Sequence, residues 1–187
     1  MKVLGILGSP LRGGNAEILL DQALTGARAT GYDTEKLILN ELKFVPCQNC
    51  GGCDETGACI IDDEMQTVYK RVAEAEAIIL ASPIFFGSLS AQTKAMVDRF
   101  QSIWVAKEVL GRSRAKKRGY LILVEGSDRQ HFFKNAESIV KNLFSVLDTE
   151  FAGSLYCPSV DQKAKILEHP EYLDQALAMG KNIQPLN

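Results

Sequence analysis

Gly8-Ser9-Pro10-Leu11-Arg12-Gly13-Gly14-Asn15 follows the apolar run Val3 to Leu7 and opens an amphipathic run that begins at Ala16. Val3, Leu4, Gly5, Ile6 and Leu7 show no polar alternation, the pattern of a central parallel strand covered on both faces. Beyond the turn, Ala16, Leu19, Leu20, Ala23, Leu24 and Ala27 fall on one face at helical spacing. A strand therefore feeds a helix through small residues, a hydroxyl, an arginine and an amide. N–H groups left unpaired in a helix's first turn, helped by the helix dipole, favour an anion there. Ser9 and Asn15 add neutral hydrogen bonds and Arg12 adds charge. The turn predicts a phosphate site. It has neither the G-x-G-x-x-G of a dinucleotide fold nor the GK[ST] of a P-loop, which argues against NAD in a Rossmann site and against ATP hydrolysis. The competing reading is a plain strand-to-helix turn, with glycines for geometry and Asn15 as the N-cap.

The 187 residues suffice for one substantial core, and no linker, repeat or low-complexity tract divides them, so one domain over 1–187 is expected. A formal net charge of -2 gives no electrostatic reason to expect nucleic acid or an anionic membrane as partner. Arg112, Arg114, Lys116, Lys117 and Arg118 are the local exception. They read as a solvated loop before a strand at Tyr120 to Val124; the functional alternative is a docking patch for an acidic redox protein or a nucleotide phosphate. The apolar residues before Gly8 are too few for a signal peptide's core, and no run is long enough to span a bilayer. A cytoplasmic protein is expected, in which clustered cysteines serve as metal ligands or redox groups rather than as disulfides.

Taken in order, the chain alternates. Asp33 to Asn40 has the polar mixture of an edge strand, and a cysteine loop runs from Cys47 to Cys59. Asp62 or Asp63 caps a helix with Met65, Val68 and Val72 inward. Ala77 to Ala81 is a second buried strand, ending in the loop Ser82-Pro83-Ile84-Phe85-Phe86-Gly87-Ser88, and Ser90 to Phe100 is helical. Tyr120 to Val124 is the third buried strand. A loop at Gly126 to His131 leads to a helix with Ile139, Val140, Leu143 and Leu147 inward. Phe151 to Tyr156 is the last strand, and Pro170 to Ile183 the last helix, with Leu173, Leu177 and Met179 facing in. The prediction is an α/β fold: a flavodoxin-like doubly wound five-stranded parallel sheet, order 2-1-3-4-5, with residues 47–59 inserted after strand 2.

That order sets strands one and three side by side, so the loops that follow them, Gly8 to Asn15 and Ser82 to Ser88, meet over one crevice. The second loop offers flat apolar surface, and Gly87 leaves its backbone reachable. A phosphate held on one loop and a planar hydrogen-bonding ring on the other describe FMN, although Phe85 and Phe86 taken singly read equally as core. The candidate cofactor-binding residues are Ser9, Pro10, Arg12, Gly14, Asn15, Ala16, Pro83, Ile84, Phe85, Phe86, Gly87 and Ser88.

Cys47, Cys50, Cys53 and Cys59 form C-x2-C-x2-C-x5-C, with Gly51, Gly52 and Gly57 letting the backbone fold tightly. Structural zinc usually takes two paired knuckles with a longer spacer, whereas this opening characterises cubane ligation. The spacing favours a [4Fe-4S] cluster over zinc and over metal-free thiols. Cys157 reads as a small core hydrophobe; His131 and His169 read as surface residues.

With both loops and the cysteines in view, the chain resembles the iron-sulfur flavoprotein branch of the NADPH-dependent FMN reductase family. The resemblance runs from Met1 to about Asp98 and continues more loosely from Val160 to Gly180. The family's GSPRxxGNT is matched by Gly8, Ser9, Pro10, Gly14 and Asn15, with Arg12 displaced by one and Ala16 where Thr or Ser is usual. Its SPIYFGS is matched by Ser82, Pro83, Ile84, Phe86, Gly87 and Ser88, with Phe85 in the Tyr position. A glycine-rich loop after the third buried strand is only partly present, as Glu125-Gly126-Ser127. The resemblance implies non-covalent FMN, homodimers or homotetramers, and a cluster that passes electrons between a carrier such as ferredoxin and the flavin.

The leading expectation is an FMN-dependent oxidoreductase that relays electrons between a [4Fe-4S] cluster and FMN, with ferredoxin or NAD(P)H as donor and a small molecule as acceptor. No protein acid, base or nucleophile is required. The rivals are an NAD(P)H-fed FMN or quinone reductase with a structural or zinc-binding cysteine loop, a non-enzymatic flavodoxin-like carrier, and a metal-binding module without flavin.

Overall fold

The computed structural model describes residues 1–185. The first strand, β1 (Lys2–Leu7), leads into α1 (Asn15–Ala29) and then β2 (Asp33–Ile38), which lies on the sheet's edge as its polar composition predicts. The irregular cysteine segment precedes α2 (Met65–Glu74). β3 (Ala77–Phe85) folds back on a short β4 (Ser88–Leu89), and α3 (Ala91–Arg99) and a single turn, α4 (Gln101–Trp104), follow. The chain then closes with β5 (Lys117–Val124), α5 (Gln130–Val146), β6 (Thr149–Cys157) and α6 (Pro170–Lys181). The five long strands pair in parallel in the order β2-β1-β3-β5-β6, the predicted doubly wound order, and β4 is an antiparallel appendage of β3.

The central strands are buried on both faces because their side chains alternate between two cores. Leu4, Ile6, Ile78, Leu80, Leu121 and Leu123 join Met65, Val68, Met96, Phe133 and Val140 on one side. Val3, Leu7, Ile79, Ala81, Ile122 and Val124 meet the α1 stripe of Ala16, Leu19, Leu20, Ala23, Leu24 and Ala27 on the other. α6 packs on that same α1, and the two helices touch through glycines. A Cβ on Gly180 would lie 1.8 Å from the Ala23 carbonyl oxygen, and one on Gly26 would lie 2.1 Å from that of Leu177. Ala176 and Gly180 are the buried residues of α6, while the predicted Leu173, Leu177 and Met179 are half-buried.

Several boundaries differ from the sequence reading. Ser82 to Phe85 are strand rather than loop: Pro83 stands opposite Val124 and Ile84 opposite Leu89, so β3 runs four residues past Ala81. His131 lies in the first turn of α5, not in a loop. The basic run is divided: Arg112, Arg114 and Lys116 lie in the loop as read, whereas Lys117 and Arg118 open β5. Lys117 is buried, its Nζ donating to the carbonyls of Ala73 at 2.9 Å and Ala75 at 2.5 Å, and burial pushes its ammonium below the usual lysine value. Arg118 pairs with Glu150 at 2.8 Å, and Arg112 donates to the Thr56 carbonyl. Residues 105–109, one wide helical turn after Trp104, pack on the cysteine loop, where a Cβ on Gly57 would be 2.6 Å from that of Ala106. Among the described residues no helix is long and apolar enough to cross a membrane.

Candidate functional site

Parallel pairing of β1 with β3 brings the two unusual loops together at the carboxyl ends of adjacent strands, and hydroxyl groups tie them. The Gly8 N–H donates to the Ala81 carbonyl at 2.8 Å. Ser90, the N-cap of α3, accepts from the Thr93 N–H at 3.2 Å and donates to the Gly8 carbonyl at 2.5 Å. Ser82 Oγ accepts from the Ser90 N–H at 3.3 Å and from Thr93 Oγ1 at 3.2 Å. Ser82, Ser90 and Thr93 are buried, so these bonds fix one loop against the other without competition from water. Gly8 is obligatory here: a Cβ would lie 1.8 Å from Thr93 Oγ1.

In the first loop, the backbone N–H groups of Ser9, Arg12, Asn15 and Ala16 find no acceptor among the described residues. With the dipole of a fifteen-residue helix behind them, they fit an anion the size of a phosphate. The side chains behave otherwise than the motif predicts. Ser9 Oγ accepts from the Leu11 N–H at 3.2 Å and shapes the turn. Asn15 is neither N-cap nor free: Gly14 occupies the cap position, and the Asn15 amide donates to the carbonyls of Val160 at 2.8 Å and Gln162 at 2.9 Å while accepting from the Ile166 N–H at 3.1 Å. It clamps the loop after β6 onto the head of α1. Arg12 pairs with Glu17 at 3.0 Å and with Glu41.

Glu17 is a residue sequence reasoning missed. It is buried and accepts from the Gly13 N–H at 2.7 Å, from Lys36 at 2.8 Å and from Arg12. Burial alone would raise its carboxyl, but Lys36, the Gly13 N–H and Arg12 outweigh that and hold it below the ordinary carboxylate range. Lys163 was missed as well. The Asn15 clamp sets it over the turn, with Nζ 3.7 Å from where a Gly13 Cβ would stand.

On the second loop, Pro83 and Ile84 are buried in the strand end, while Phe85 and Phe86 are exposed. Phe86 and Gly87 form the two-residue hairpin turn, with φ of 50° and 77°. Both signs suit the twist of a tight hairpin, yet an aromatic residue in the left-handed region costs about 1–2 kcal/mol. No packing gain offsets it, since the Phe86 ring stands wholly in solvent. Strain of this kind gathers at functional sites. Gly87 is covered by Phe132 of α5, whose ring lies 2.8 Å from where a Cβ would be, and Arg129 sits 5.5 Å above that ring. Gly87 is therefore buried and does not leave its backbone reachable as the sequence suggested; what this loop offers a flavin ring is the exposed planar surface of Phe85 and Phe86.

The cysteine segment is tied at its base. The Lys43 carbonyl accepts from the Glu64 N–H at 3.2 Å, the Val45 N–H donates to Asp63 at 3.1 Å, and Asp63 also accepts from the Met65 N–H at 3.1 Å; the N-cap of α2 is nevertheless Glu64 and neither Asp62 nor Asp63, Asp63 standing one residue before it. Cys47, Cys50, Cys53 and Cys59 are free thiols that line one recess of about 250 Å³ together with Arg99. A second recess of about 520 Å³, lined by Cys47, Phe100, Trp104 and Ile139 among others, borders it. Arg99 is 1% exposed. Its guanidinium binds Asp63 with both Nη atoms, at 2.7 and 3.1 Å, and Nη2 donates to Cys59 Sγ at 3.4 Å. Burial would raise the Asp63 carboxyl, but Arg99 and the two N–H donors hold it low. Burial and Asp54 push the Cys53 thiol up. Among the described residues no three His, Cys, Asp or Glu side chains converge as a single metal ion would require. The four thiols line one recess, and a cubane would take one thiolate per iron. Cys157 is buried apart from them, its thiol pushed up to about 12 by burial.

α3 joins the two places. Its N-cap Ser90 ties the strand-end loops and its last residue, Arg99, enters the recess. At 1.5 Å rise per residue these ends are about 14 Å apart.

Residues 1–152 match the profile of a family described as NADPH-dependent FMN reductase. Among curated relatives, an iron-sulfur flavoprotein of Methanosarcina thermophila is 38% identical over 99 residues, covering 53% of this chain and 52% of its own length. One of Methanocaldococcus jannaschii is 42% identical over 99 residues, covering 53% and 51%. The matched segment thus spans about half the length of these relatives. Among solved structures, a flavone reductase superposes with a TM-score of 0.75 at 22% identity, covering 98% of this chain and 62% of its own, a likeness of fold.

Proposed function

Since this chain belongs to the NADPH-dependent FMN reductase family, we propose that it binds FMN at the paired strand ends and acts as an FMN-dependent oxidoreductase. The observation that carries this reading is the junction itself: unclaimed N–H donors at the head of α1 tied, through Ser90, to a strained turn that presents bare aromatic surface. The phosphate takes the N–H groups of Ser9, Arg12, Asn15 and Ala16, the Arg12 guanidinium being held by Glu17 and Glu41; Pro10 and Gly14 shape that loop. The ring lies along Pro83, Ile84, Phe85, Phe86, Gly87 and Ser88. FMN, when bound, supplies hydride and single-electron chemistry, and the chain's part is to bind, orient and shield it. No acid, base or nucleophile from the chain is required.

Cys47, Cys50, Cys53 and Cys59 hold a [4Fe-4S] cluster, a reading supported by the spread of the thiols and by the names of the relatives. NAD(P)H, in keeping with the family description, or ferredoxin supplies electrons to a small-molecule acceptor. The whole forms one FMN-binding domain with residues 47–59 inserted, in a cytoplasmic homodimer or homotetramer.

A visible spectrum of protein purified without air tests both cofactors, with iron, sulfide and zinc analysis alongside. Flavin and iron-sulfur absorption with about four irons per chain is the expected result. Protein that takes up no FMN ends the reading, and stoichiometric zinc without iron ends the cluster. Flavin bleaching by NAD(P)H alone in Cys50→Ser would favour a directly fed reductase, in which the cysteine loop is structural.

A further inference from the structure

We propose that Arg99 is a positioning residue for the cysteine-bound centre, holding Cys59 by its sulfur and fixing a positive charge beside the centre so that it gains an electron more readily. The inference rests on the cluster reading above and adds a role for a residue outside the cysteine motif.

Arg99 is the largest fully buried side chain in the molecule. An unpaired buried guanidinium would be strongly unfavourable, and Asp63 answers its charge in a two-point pair. The pair is also aimed. Nη1 donates to the Val45 carbonyl at 2.8 Å, two residues before Cys47, and Nη2 reaches Cys59 Sγ. One side chain therefore grips both ends of the cysteine segment. Its own backbone is held in turn, because Tyr69 donates its hydroxyl to the Arg99 carbonyl at 2.6 Å and stacks edge-on with Phe100.

The consequence follows from electrostatics. Hydrogen bonds to ligating sulfur and nearby positive charge both stabilise the more negative, reduced state of an iron-sulfur centre and raise its potential. Asp63 shares the guanidinium charge and accepts from Nη1 and Nη2 alike, but Nη2 carries two N–H groups, so one remains for Cys59. The step affected is the gain of one electron from an external one-electron reductant, with no bond made or broken.

The test uses the full chain, purified without air, as wild type, Arg99→Lys and Arg99→Gln. Iron and sulfide per chain are measured, and the centre is titrated with dithionite through mediators and followed by electron paramagnetic resonance. Arg99→Gln is expected to keep its iron yet to show a reduced-to-oxidised ratio about tenfold lower at the wild-type midpoint, equivalent to about 59 mV for a one-electron centre. Arg99→Lys, which keeps the charge, is expected to recover most of that shift. If Arg99→Gln does not fold, the paired variant Arg99→Gln/Asp63→Asn removes both charges together and is expected to shift the same way. An unchanged midpoint in iron-loaded Arg99→Gln or in the paired variant overturns the inference and leaves the cluster reading standing. Wild type without iron and sulfide overturns both.

Discussion

The crevice at the strand ends and the cysteine recess are built on opposite principles. The crevice is made of backbone: N–H groups, glycines and a hairpin turn placed by regular strands and locked by small hydroxyls. The recess is made of side chains on a segment with almost no regular structure, held by one buried ion pair and a few carbonyl contacts. A backbone site inherits its geometry from the sheet and tolerates exchange of many side chains. A side-chain site depends on single residues, and losing one leaves its partner buried and unsatisfied.

The contrast breaks most visibly at Asp63. Asp63→Ala strands the Arg99 guanidinium and is expected to cost about 3–5 kcal/mol in chemical denaturation. Limited proteolysis should then cut within residues 46–62 while the strand-end loops stay protected. Equal protection of both regions would show that the recess has other supports.

The same pair gives a pH window. The Asp63 carboxyl lies below its reference value of 3.8 in the folded protein, because Arg99 and two N–H donors outweigh its burial. Its contribution is therefore complete above about pH 4 and fades as pH falls through the folded value. Asp63→Asn should flatten the acid limb of the stability curve; a limb unchanged from wild type assigns acid sensitivity elsewhere.

Ser90→Ala probes the crevice's lock. It removes a helix cap and the bond to the Gly8 carbonyl together, at an expected cost of about 1–2 kcal/mol. FMN affinity should fall about tenfold and iron content should not change, both measured on the same preparation.

The smallest effect sharpens the comparison furthest. Phe86→Gly relieves a left-handed aromatic and should stabilise the protein by up to about 1 kcal/mol, while weakening flavin binding. Greater stability with unchanged FMN affinity would make the exposed ring an ornament of the turn.

What the sequence revealed divides along the same line. Uniform apolar runs and the α1 stripe identify the sheet and its order, because burial on both faces leaves no polar alternation. The turn between β1 and α1 is legible since its glycines and the helix start behind it are local signals. The extension of β3 is not, as Ser82-Pro83 reads as a strand's end and only pairing with β5 and β4 carries it onward. Lys117 sits in a basic run, and nothing near it in sequence announces that two carbonyls at the end of α2 will receive its ammonium. Glu17 and Arg99 are hidden for the same reason: a charged residue on a helix reads as solvated until its partners, Lys36 for one and Asp63 for the other, arrive from distant segments.

The glycine contact between α1 and α6 has a consequence for how the molecule comes into being. A ribosome delivers α1 well before residues 170–181, and domains close as units once their parts have emerged. The outer stripe of α1 thus waits for its cover while every strand and helix between the two is made. A bulkier residue at Gly26 or Gly180 would show its harm first as nascent chains that linger with chaperones, before any finished protein could be weighed for stability.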